Sequence, residues 1–87
     1  MTIERKHDPL TLDETQRVDL LRRGMAAWFK AGGLEVPTSG SAVKVRLGLA
    51  YVVLHGATGV LAVYRVRQVN DILMLRVLTR WPASLAN

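Results

Sequence analysis

Basic side chains are the residues of this chain whose type and spacing point to shared chemistry. Lys44, Arg46, Arg65, Arg67, Arg76 and Arg80 lie beyond residue 40, with a single acid, Asp71, among them. Six bases and six acids cancel through residue 38, so the formal +5 of the 87-residue chain belongs to its C-terminal half. A spacing of two, as in Lys44/Arg46 and Arg65/Arg67, puts both members on one face of a strand. Like charges gather on a sheet at a cost unless an anion or an acidic partner meets them. Arginine matches phosphate with two parallel donors, so these six residues form the candidate anion- or nucleic-acid-binding set.

Other chemistry has little to stand on. The chain has no cysteine, which removes disulfides, zinc–thiolate sites and thiol nucleophiles together and fits a cytoplasmic setting. His7 sits between Lys6 and Asp8 near the N-terminus. His55 falls at a hairpin end on the side opposite the arginines, and both histidines read as solvated loop residues. Asp71 suits a turn, and the acids of the helix suit capping or pairs such as Asp19 with Arg22 or Arg23. No two carboxylates converge and no glycine-rich loop precedes a helix, so no catalytic, cofactor or metal site is expected.

The elements that carry the bases follow from periodicity. A hydrophobic share of 49% on 87 residues gives one small globular domain, expected over residues 11–87 behind a loose arm at 1–10. Thr11-Leu-Asp-Glu14 has the form of a capping box. The helix it opens runs to about Ala31, with Val18, Leu21, Met25, Trp28 and Phe29 as its apolar stripe and Gly32-Gly33 as its stop. Gly24, in mid-helix, implies close approach to a sheet. After a connector at Leu34–Ser41, three strands are expected at Ala42–His55, Val60–Val69 and Ile72–Trp81. Leu47–Tyr64 is 18 residues without a formal charge. Its central His55-Gly56-Ala57-Thr58-Gly59 is turn chemistry, so it reads as a hairpin and no membrane span is expected.

The fold class is therefore α+β: one N-terminal amphipathic helix on a three-stranded antiparallel meander. The two-residue turn Asn70-Asp71 pairs Val69 with Ile72, Arg67 with Met74, Arg65 with Arg76 and Val63 with Leu78. A four-residue loop at Gly56–Gly59 pairs Leu54 with Leu61, Val52 with Val63, Ala50 with Arg65 and Gly48 with Arg67. In this register Val43, Val45, Leu47, Leu49, Tyr51, Val53, Val60, Ala62, Tyr64, Val66, Leu73, Leu75 and Val77 share an uncharged face for the helix. Val18, Leu21, Met25 and Trp28 are expected to pack there against Tyr51, Tyr64 and Trp81.

The opposite face holds all six bases, Ile72 and a further apolar set, Val52, Leu54, Leu61, Val63, Met74 and Leu78. Those six are the expected oligomer interface, because one helix covers one face only. All five aromatics lie on the helix or its side of the sheet, so stacking on bases is disfavoured and contact with a nucleic-acid backbone remains. The expected role is a small non-enzymatic basic module, self-associating as a homodimer, that contacts nucleic acid or an acidic protein. The alternative is an assembly subunit whose open sheet face joins copies of itself. A helix followed by an antiparallel sheet with strand arginines is similar in layout to small bacterial ribonuclease toxins of the RelE/ParE type. That resemblance covers layout alone, and the ending Thr79-Arg80-Trp81-Pro82 lacks the basic–aromatic signature sought there, so a toxin is the last alternative.

Overall fold

A computed structural model describes residues 12–86, so the arm at 1–10 and the expected Thr11 cap lie outside the described residues. Within them the order is α1 (Glu14–Lys30), β1 (Ala42–Arg46), β2 (Leu49–His55), β3 (Val60–Val69), β4 (Ile72–Leu78) and a short 3-10 helix at Ala83–Ala86. The four strands form one antiparallel meander in the order β1-β2-β3-β4. The class is α+β as expected, and the strand count is four where three were expected.

The extra strand comes from a turn inside the expected Ala42–His55. Arg46 pairs with Leu49, so Leu47-Gly48 is a two-residue hairpin connection. Both have positive φ, 52° and 78°, as the twist-matched type I′ turn requires. Leucine is strained there, and its side chain is fully exposed, so nothing is gained in return. Leu47→Asn, which installs the preferred Asn-Gly pair, should raise stability by about 0.5–1 kcal/mol in urea unfolding. A single long strand would instead lose stability with the same change.

The capping box of α1 stands two residues beyond the expected one. Asp13 is the N-cap: its carboxylate accepts from the Gln16 amide at 2.8 Å, and Gln16 Oε1 accepts from the Asp13 amide at 3.0 Å. At the other end Gly33 N–H donates to the Trp28 carbonyl and Gly32 N–H to that of Phe29, a Schellman closure with Gly32 at φ 100°. Asp19 pairs with Arg23 at 3.6 Å, an exposed pair of small energetic weight.

The buried stripe of α1 is centred on Leu20 and Gly24, with Leu21, Met25, Ala27 and Trp28 beside them. Val18 and Phe29 are roughly half exposed and do not belong to it. The helix sits against Ala50, Val52, Leu54, Ala62, Tyr64 and Val66. Burial pushes the Tyr64 phenol above its ordinary value. Trp28 turns to the following loop: its indole N–H donates to the Glu35 carbonyl at 2.8 Å, and Glu35 Oε2 accepts from the Ala57 amide at 2.8 Å. The expected packing of Trp28 on Tyr51 and Trp81 is therefore corrected, since both lie across the sheet.

Close approach at Gly24 is found. A Cβ there would stand 2.8 Å from Val52 Cγ1, and β-branched Val52 has little rotamer freedom to yield. Gly24→Ala should lower stability by about 1–2 kcal/mol although alanine is the better helix former. Combined with Val52→Ala, it should cost less than the two separate losses added together, measured by urea unfolding.

Candidate anion-binding face

The face turned away from α1 is built from alternate residues of all four strands. One cross-strand row reads Ala42, Val53, Val63, Leu78, and the next Lys44, Tyr51, Arg65, Arg76. Beyond it Arg46 pairs with Leu49 on the first hairpin, and Arg67 with Met74 on the last. The pairs set by Asn70-Asp71 are those expected, Arg65 opposite Arg76 included. Both turn residues have positive φ, 52° and 67°.

The β2–β3 register differs from expectation by one residue. The four-residue loop is present, with His55 against Val60 and the Gly56 amide donating to the Gly59 carbonyl. A bulge between Leu54 and His55 then shifts the ladder, so Leu54 meets Ala62, Val52 meets Tyr64 and Tyr51 meets Arg65. Arg65 thus has a tyrosine beside it where Ala50 was expected, and Gly48 is a turn residue.

The expected interface set is corrected with it. Val52 and Leu54 are fully buried on the α1 side, and Leu61 packs against the same cluster. Val63 and Leu78 do lie on the second face, but the chain's own C-terminal segment covers them. Leu85 is fully buried there against Tyr51, Val53 and Val63, with Val60, Leu78 and Trp81 around it. Lys44 Nζ donates to the Leu85 carbonyl at 3.0 Å. Of the six, Met74 alone stays exposed. Trp81 leaves the strand and joins this cover, so the placing of every aromatic on the helix side is also corrected.

The apolar row is covered and the basic part is open. Arg65, Arg67, Arg76 and Arg80, with Val77, Leu78 and Thr79, line a hollow of about 350 Å³ on the β4 side of the sheet. No carboxylate is among those lining residues. The Arg65 Nε is shut off from solvent and has no hydrogen-bond partner among the described residues. A donor in that state costs about 1–3 kcal/mol until an acceptor arrives. Lys44 and Arg46 stand apart on β1, where Arg46 donates to the Val45 carbonyl at 2.9 Å. The structure therefore brings four of the six expected bases together. What the sequence reading missed is Thr79 and the tail that frames the site.

Elsewhere the polar groups serve the fold. Arg17 donates to the Val43 carbonyl of β1 at 3.2 Å, and Arg23 to the Leu73 carbonyl of β4 at 2.7 Å, so α1 grips both sheet edges. His55 lies outside the arginine hollow. Its amide donates to Ser41 Oγ at 2.9 Å, and its carbonyl accepts from Thr38 N–H at 2.7 Å. Among the described residues no group of His, Asp and Glu side chains gathers to hold a metal ion, and no helix is long and apolar enough to cross a membrane. No protein-family model matches the chain, and neither a curated protein nor a solved structure matches it.

Proposed function

We propose that this chain is a small non-enzymatic binding module that holds the phosphate backbone of nucleic acid on its arginine face. The observation that carries the reading is the convergence of Arg65, Arg67, Arg76 and Arg80 on one hollow with no carboxylate in its lining. Planar guanidinium groups suit phosphate oxygens better than ammonium groups do. Tyr51, at the centre of the face, is almost fully buried, and Trp81 is packed into the apolar cluster under the tail, so neither offers an open ring for base stacking. Recognition then rests on backbone contacts, with little preference among sequences.

Duplex DNA binding measured across salt concentrations tests this. Affinity should fall steeply, by about 0.9 log units per log unit of salt for each phosphate neutralised. Arg67→Ala or Arg76→Ala should shallow that slope by roughly one unit and weaken all sequences alike. No duplex binding at low salt, together with binding to an acidic polypeptide, would replace nucleic acid by an acidic protein.

A second reading, assembly of copies, has its own observation. The outward carbonyls of Val43 and Val45 on β1 each accept from an arginine, whereas on β4 only that of Leu73 does so among the described residues. Ile72, Met74 and Val77 of the same strand are exposed. An edge strand held at one carbonyl only and exposing three apolar side chains is a template for pairing. Under this reading the solution mass doubles with concentration, irrespective of DNA.

A further inference from the structure

We infer that the hollow between Arg65, Arg67, Arg76 and Arg80 is a seat for a phosphate monoester, the terminal phosphate of a nucleic-acid strand. This rests on the reading of the face given above and narrows it to one chemical group.

Charge is the first argument. Four guanidinium groups line one hollow, and a backbone phosphodiester brings a single negative charge to it. A monoester carries about −1.5 to −2 near neutral pH and one more free oxygen. Size is the second. About 350 Å³ is small among ligand sites and enough for a phosphate with its adjoining sugar. Placement is the third: Arg76 and Thr79 lie on and just beyond edge strand β4, so the hollow opens at the rim of the sheet, where a strand end can enter. The unpartnered Nε of Arg65 is the fourth. A small turn of that guanidinium toward an entering oxyanion provides the paired, charge-assisted contact its Nε lacks. Thr79 adds a hydroxyl to the lining.

The test compares one short DNA duplex bearing a 5′-phosphate with the same duplex bearing a 5′-hydroxyl. At pH 7.5 the phosphorylated end should bind about tenfold more tightly, the scale of one added charge-assisted contact. The preference should fade below pH 6, where the monoester regains its second proton. The charged side chains lining the hollow are all arginines, with no histidine or carboxylate among them, so this titration reports the phosphate. Arg65→Lys keeps the charge and loses the planar fork, and should abolish the preference; Arg22→Lys, on the exposed side of α1, should retain it. Equal binding of both ends, with salt-dependent affinity intact, overturns the seat and leaves the face reading in place. If neither duplex binds at low salt, the face reading falls, and a titration with inorganic phosphate decides the seat. Saturable binding that Arg65→Lys removes would keep the seat with free phosphate as its ligand, and no binding would overturn it.

Discussion

Leu54→Asp should leave the chain unfolded at 25 °C, seen as loss of far-ultraviolet dichroism and of a cooperative urea transition. Leu54 is fully buried in β2, on the side that faces α1, within the cluster that includes Leu20, Ala62 and Tyr64. Truncating a leucine in such a place costs about 3–5 kcal/mol. A carboxylate there must also shed water without a partner or take up a proton, which adds several kcal/mol. A domain of this length has about 5–10 kcal/mol to lose. Leu54→Ala gives the graded version, with an unfolding free energy lower by about 3–4 kcal/mol. A Leu54→Asp protein that melts like the parent would put Leu54 on an open face and reverse the two faces of β2.

That prediction turns on why part of the sheet was legible in the sequence and part was not. β3 and β4 were readable because Asn70-Asp71 is strong turn chemistry and a two-residue turn leaves one pairing. Every pair it sets, Val69/Ile72 through Val63/Leu78, is observed. The β2 faces were inverted for two reasons that each change parity by one. Leu47-Gly48 turns the chain with a leucine at positive φ, a residue that carries no turn signal, and Gly48 alone was read as a strand glycine. The expected Ala42–His55 strand was longer than strands ordinarily run, and that length was the available clue. The bulge at Leu54/His55 then moved the β2–β3 ladder, and a bulge is a tertiary accommodation with no marker in these residues. Since side chains alternate with period two, each slip of one carries a whole strand to the other face. The basic side survived because Lys44, Arg46, Arg65, Arg67 and Arg76 lie on β1, β3 and β4, the strands whose faces were read correctly.

Removing the tail should have the second large effect, and it separates the two sheet faces by experiment. Leu85 is the side chain that closes the second face, fully buried over Tyr51, Val53 and Val63 at the end of a segment that bends away from β4 at Thr79-Arg80. Leu85→Ala should cost about 2–4 kcal/mol, toward the lower end because an irregular segment can settle into the space. For a domain this size that lowers Tm by about 10–25 °C. A chain ended at Trp81 should lose at least as much, because Val53 and Val63 are then uncovered and Lys44 loses its acceptor on the Leu85 carbonyl. The exposed apolar row should bind a hydrophobic dye and draw copies of the shortened chain together, while α1 stays folded on its own face. Arg80 lies in the same bend that the tail anchors, so its place at the hollow depends on Leu85. Shortened protein should therefore lose phosphate-end preference together with thermal stability. A shortened chain with unchanged Tm and no dye binding would mean that the tail does not cover this face.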